Sequence, residues 1–408
     1  MTQTQKYITF FLGLIILTTI FAVAIQTITA NNTIGADFLV FFLAGRSSFI
    51  EEKGPYVAEN NLISQLSINN RPADPTEDQL TFSYPPYVLL AILPLIYLPF
   101  AWAQAFWMGL LLVLLVMLPL FLFDRAPRWA IVTSFLLYPI TLGLILGNFA
   151  VPIGIFLLAV YVILFRPSQS RLVLTDILAG LCLAWCTAKP QFSWLIILFL
   201  LLGTLKYRRW WMLGSFFASM FIFLGVSFII LPSWPADWVN QVLFYAETNR
   251  TLLHITLLMQ LVFSETVTNL MTPVVVVLSL VWIGYVFRSW WQGKISSLAA
   301  LCWVTLVTYL VHPRGVAYEQ ITFLIPFLIW MFTPEQTPTK SHRPIAWIIA
   351  IAASWLGFYG SYYASGYYAL PEWILAFYII WMVVYLKFWH KADLYSLKTM
   401  TPPINTVG

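Results

Sequence analysis

Residues 7–37 read YITFFLGLIILTTIFAVAIQTITANNTIGAD: an apolar run that stops at two asparagines and is followed shortly by Asp37. About 20 apolar residues suffice for a helix to cross the roughly 30 Å of hydrocarbon in a bilayer, so this run is read as a first membrane span. It is long for the core of a secretory leader, has only Lys6 before it, and its Ala-Asn-Asn end offers no small-x-small cleavage site. Runs of the same kind recur as far as His390, and no polar block of domain size separates them. Of the 408 residues, 61% are hydrophobic and only 9% charged, against roughly 25% charged in soluble domains. The reading is an all-α polytopic integral membrane protein with a single membrane domain over residues 1–408.

Outward from Asp37, residues 31–84 form the longest interval without a spanning run. Phe38 to Ile50 mixes aromatics with Arg46 and two serines over a length too short to cross, which predicts a helix lying in the interface. Arg71 to Asp78, with its prolines and acids, reads as a solvated connection. A second large loop is expected at 232–269, and 390–408 is read as a tail. Basic residues cluster at Arg125/Arg128, Arg166/Arg171, Lys206–Arg209, Arg288/Lys294, Lys340/Arg343 and Lys387–Lys391, marking cytoplasmic turns. These clusters agree with one another, with both termini cytoplasmic, if Tyr87–Phe100 does not cross. About 12 spans follow, with 31–84 and 232–269 extracytoplasmic and Gly147-Asn148, Lys189-Pro190 and His312–Glu319 on the same face.

That face carries the candidate chemistry. Asp37, at the edge of an apolar run, is either a topological acid or a general base whose acidity is tuned by burial and a nearby cation. Lys189, between Trp185 and Phe192, must snorkel to the interface or hold an anion, for which a lipid phosphate is the natural partner. His312 and Arg314 form a candidate phosphate-binding pair, with Tyr318 and Glu319 beside them. Tyr56 in Gly54-Pro55-Tyr56, Tyr84 in Tyr84-Pro85-Pro86-Tyr87, and Asn148 are candidate substrate contacts, although each also suits an ordinary turn.

The order of these pieces resembles glycosyltransferase family 87: an Asp after the first span, Gly54-Pro55-Tyr56, Tyr84-Pro85-Pro86, Gly147-Asn148, Lys189-Pro190-Gln191 and a late polar loop at His312–Gln320. The resemblance implies a GT-C-like membrane bundle and an inverting transferase whose donor is a sugar linked to polyprenyl phosphate, with mannose the expected hexose. It implies Asp37 as the catalytic base, Lys189 beside the donor phosphate and His312 as a late-loop active-site group. The acceptor implied is a lipid or glycan, and the site is expected on the extracytoplasmic side of the plasma membrane.

No P-loop, Gly-rich dinucleotide turn or His/Cys metal spacing occurs in the chain, so no nucleotide cofactor is expected. No metal ligand set is expected either, and a divalent ion is left open. The three cysteines lie inside apolar runs and suggest no disulfide frame. The net charge of +5 is accounted for by the cytoplasmic clusters without nucleic acid as a partner. The competing class is a polytopic transporter or lipid flippase, which also carries buried charges and broken helices but is built on internal repeats; none is visible in this chain.

Overall fold

The computed structural model describes residues 3–29, 32–75, 77–123, 126–165, 172–248, 252–313, 316–333, 342–365 and 372–388. Arg314 and the 390–408 tail lie outside the described residues. In chain order the helices are α1 (Gln3–Thr29), α2 (Ala36–Phe49), α3 (Ala58–Asn69), α4 (Phe100–Leu122), α5 (Arg128–Val132) and α6 (Tyr138–Leu146). They continue with α7 (Ala150–Phe165), α8 (Val173–Trp185), α9 (Trp194–Lys206), α10 (Trp210–Ile230), α11 (Trp234–Thr248) and α12 (His254–Gln260). The last are α13 (Glu265–Trp291), α14 (Ser297–Leu310), α15 (Ile321–Phe332), α16 (Arg343–Ser365) and α17 (Glu372–Phe388). No strand occurs among the described residues. The fold is therefore all-helical, as backbone in hydrocarbon must satisfy its polar groups within the segment.

Among the described residues, four helices are long and apolar enough to cross a bilayer: α1, α4, α10 and α13. Helices α5 and α6, with the 3-10 turn Thr133–Leu136 between them, form a pair bent by 63°. Shorter apolar helices include α7, α8, α9, α14 and α15. Helix boundaries follow local chemistry. Gly147 ends α6 in the left-handed region (φ 68°), a conformation that costs a residue without a Cβ least. The Ser296 side chain accepts from the Ala299 N–H at 3.1 Å and caps α14.

Contacts at the helix ends show how the chain alternates. At one end, the Tyr7 hydroxyl of α1 bonds Thr175 of α8 (2.6 Å), Asp176 pairs with Arg209 before α10, and Lys206 of α9 donates to the Trp290 carbonyl of α13 (2.7 Å). Phe165 of α7 meets Phe199, Tyr207 and Trp290, and Arg343 donates to Thr333 after α15. At the other end lie the start of α4, the α6–α7 turn, the break after α8 and the start of α15. Lys206, Arg209 and Arg343 thus lie at one end of the bundle, and the polar loops that carry Asp37, Lys189 and His312 lie at the other.

Several elements depart from the sequence expectation. The helix predicted from Phe38 starts at Ala36 and is buried within the protein along most of its length. The interval 58–69 is the helix α3 rather than loop. Up to the start of α4 at Phe100, the stretch from Tyr87 forms no α-helix: its two 3-10 turns, Pro86–Ala91 and Leu95–Tyr97, are joined by a turn. It begins beside Ser227, whose hydroxyl accepts the Tyr87 N–H (3.1 Å), and ends at Phe100, which packs on Phe38 and Phe42. Both landmarks lie at the polar end. The second large loop, expected at 232–269, is mostly helix, because α11, α12 and the first turns of α13 occupy it.

Candidate active site

Asp37 sits in the first turn of α2, and its position is set from α4. Gln104, fully buried in that helix, accepts the Ile34 and Gly35 N–H groups (3.3 Å each) and donates to the Asn32 carbonyl (2.7 Å). One amide thus fixes the chain that delivers Asp37. Below the carboxylate, Phe38 stacks on Trp107 with ring centroids 5.8 Å apart, and Trp107 donates to the Gly147 carbonyl at 2.7 Å. A Cβ on Gly147 would come within 2.8 Å of the Phe38 Cβ, so both backbone conformation and space require glycine there.

Asn148 follows, 1% exposed, and uses both ends of its amide. Its Oδ1 accepts the Ala150 N–H (2.7 Å) at the start of α7, and its Nδ2 donates to Asp37 Oδ2 (2.8 Å). The Tyr318 hydroxyl also reaches the Asp37 carboxylate. Asp37 keeps partial access to solvent. Burial raises its pKa to about 6, while the Asn148 hydrogen bond and the Lys189 charge act to lower it and Asp78 adds to the rise. The site holds a carboxylate that is ionised at neutral pH and accepts a proton readily.

Lys189 lies in the break between α8 and α9, where the 3-10 turns Cys186–Ala188 and Pro190–Phe192 interrupt the helix. Ser193 secures the break by donating its hydroxyl to the Cys186 and Lys189 carbonyls (2.8 and 3.0 Å). The ammonium, in a residue only 6% exposed, pairs with Glu319. It also lies 4.9 Å from the Tyr318 ring centroid and 5.9 Å from that of Tyr84, so aromatic faces complete its surroundings. Tyr318 therefore touches both the candidate base and the candidate cation.

Of the residues singled out in the sequence, Asp37, Tyr84, Asn148, Lys189, His312, Tyr318 and Glu319 form one cluster. Tyr56 joins from behind by donating its hydroxyl to the Tyr84 carbonyl (2.7 Å). His312 faces Glu319, with Nε2 3.4 Å from Oε2, instead of lying open in the cleft. Gln104 and Asp78 were not anticipated. A lone glutamine in the apolar run 100–122 was the available signal for Gln104, since a polar group in a spanning segment needs a partner. Asp78 lay in a stretch read as solvated linker. Its Oδ1 accepts the Leu80 N–H at 3.0 Å, its charge acts on Asp37 and Lys189, and Leu80 adopts a left-handed φ of 50°. Among the described residues, no three His, Cys, Asp or Glu side chains cluster as metal ligands.

The sequence model of glycosyltransferase family 87 matches residues 82–313, more than half of the chain. The chain belongs to glycosyltransferase family 87. The family 87 match takes in Tyr84, Asn148, Lys189 and His312. Asp37, outside the matched span, is tied to it by the hydrogen bond from Asn148. No curated protein and no solved structure matches the chain. For a family 87 glycosyltransferase, the arrangement offers a proton acceptor and a buried cation on either side of one tyrosine.

Proposed function

We propose that this glycosyltransferase is an inverting enzyme of GT-C type that moves a hexose, with mannose the expected sugar, from polyprenyl phosphate to a lipid or glycan acceptor. The observation that carries this reading is the meeting of Asp37 and Lys189 across Tyr318. Asp37 takes the proton of the acceptor hydroxyl as that oxygen bonds to the anomeric carbon. On the opposite face the bond from carbon to phosphate oxygen breaks, and the lipid phosphate departs as an anion toward Lys189. His312 joins through Glu319, and Arg314 is the further cation of the donor phosphate. Asn148 and Tyr56 position Asp37 and Tyr84, whereas Tyr84, Tyr318 and Glu319 border the sugar.

In this reading the chain crosses about 12 times and the site faces the outside of the plasma membrane, with the turns that carry Lys206, Arg209 and Arg343 facing the cytoplasm. In this reading α2 and α3 lie at the outer interface. The test is transfer from radiolabelled polyprenyl-phosphate mannose in membranes. Wild-type protein transfers label to lipid or glycan, and Asp37→Asn and Lys189→Met do not. If wild type transfers no sugar from any lipid-linked donor, or if Asp37→Asn transfers as fast as wild type, the reading is wrong.

A further inference from the structure

Beyond Glu319 lies a small chamber, bordered by Phe192, His254, Tyr309, His312, Glu319 and Gln320, with room for about one water. Among the described residues, three buried polar atoms here find no hydrogen-bond partner: His312 Nε2, Glu319 Oε2 and Gln320 Oε1, in residues 4%, 8% and 1% exposed. His312 Nε2 and Glu319 Oε2 are 3.4 Å apart, close enough for an ion pair but not aligned as a hydrogen bond. The other oxygen of Glu319 is engaged by Lys189. One carboxylate therefore stands between an ammonium and an imidazole.

The His312 ring is held in place by its backbone. Its carbonyl accepts the His254 N–H (3.1 Å), its N–H donates to the Tyr309 carbonyl (3.2 Å), and Leu253 and Pro313 form an antiparallel bridge. The charged and titratable groups around it are Glu319, Lys189, His254 on α12 and Tyr309 on α14, with Tyr245 of α11 in electrostatic reach of Glu319. Burial holds the imidazole below its ordinary range, Lys189 pushes the same way, and Glu319 opposes them. At rest the imidazole is neutral, and the charges of Lys189 and Glu319 cancel. An anionic phosphate arriving at Lys189 meets an ammonium whose charge Glu319 already balances. One proton on His312 would balance Glu319 instead and leave the ammonium to the phosphate.

We propose that His312 and Glu319 are positioning residues for Lys189: phosphate binding draws one proton from the buffer onto His312 Nε2, Glu319 turns to the imidazolium, and Lys189 is released to the anion. This rests on Lys189 as the donor-phosphate site. The demand grows during transfer, because the departing phosphomonoester can carry a second negative charge that the diester cannot. Glu319 Oε2 then borders the added proton.

The test is calorimetric binding of farnesyl methyl phosphate, a phosphodiester that does not titrate near neutrality, to the full chain in nanodiscs. Asp37→Asn serves as the background, so that the base contributes no proton. At pH 8, comparison of heats in Hepes and Tris is expected to show uptake of about one proton per ligand bound, and Kd is expected to rise by up to about tenfold per pH unit on the alkaline side. Adding His312→Gln or Glu319→Gln abolishes the uptake and flattens the pH dependence. Glu319→Gln also binds the probe at least as tightly, because Lys189 loses its counterion. Binding that requires Lys189 but draws no proton, or uptake that persists in His312→Gln, overturns this proposal alone. Binding that Lys189→Met leaves intact overturns the phosphate-site reading, and this proposal with it.

Discussion

At Asp37, burial and hydrogen bonding act in opposite senses, and burial prevails, placing the carboxyl at about 6. A base must be deprotonated, so kcat/KM is expected to rise with pH through about 6 and level off above it, as a pH–rate profile of transfer will show. Asn148→Ala removes a donor that favours the carboxylate, so the acidic limb moves to higher pH and activity lost at pH 6 returns at pH 8. A limb that stays in place would mean that Asn148 does not tune the base. Asp37→Asn is expected to lower kcat/KM by about 10²–10⁴ without lowering stability. The folded-state pKa exceeds the ordinary value, so the ionised group opposes folding increasingly as pH rises between the two values. Melting of Asp37→Asn at pH 7 should then match or exceed wild type, and a lower melting temperature would assign Asp37 a structural role. Asp37 and Lys189 were legible in the sequence because a charge beside apolar runs is costly without a task. The link from His312 to Glu319 was not, since sequence spacing does not tell which side of a ring faces a carboxylate.

Between elements, the buried Asp176–Arg209 pair joins the start of α8 to that of α10, with both residues under a tenth exposed. The two helices approach closely at Gly180, where a Cβ would collide with the Met212 carbonyl. Arg209→Ala leaves Asp176 buried without its partner and is expected to cost about 3–5 kcal/mol. The double variant Asp176→Leu/Arg209→Met removes both charges and should recover much of that loss in thermal unfolding of the detergent-solubilised protein. If the double variant is as unstable as the single one, the pair is not what holds these helix ends. In the sequence, Arg209 was read only as part of a basic turn, because proximity to Asp176 depends on how α8 and α10 pack. The apolar runs themselves were legible, as hydropathy fixes where helices of that length form. Their ends were less so: α13 begins at Glu265, inside the stretch read as the second loop, and runs on through Pro273, as a proline is tolerated within a membrane helix.

For the whole molecule, the direction of each helix decides which residues share a compartment. Helix α13, 27 residues long, spans about 40 Å at 1.5 Å per residue. Its first turns pack against α12, which carries His254 into the chamber beside His312, and its last turn ends at Trp291, shortly before Lys294. The exposed Glu59 of α3 belongs to the interval that delivers Asp37, at the opposite end from Lys294. If basic residues face the cytoplasm, an impermeant maleimide added to right-side-out vesicles will label Glu59→Cys and leave Lys294→Cys unlabelled until the membrane is opened. Replacing Cys182, Cys186 and Cys302 by serine beforehand removes background labelling. Inside-out vesicles should reverse the pattern. Labelling of both positions from one side would refute the proposed bundle, because the site and the basic turns could no longer lie a bilayer apart. A clean pattern of the reverse sense would keep the bundle and move the chemistry to the cytoplasmic face, where a donor displayed on the outer leaflet could not reach Lys189.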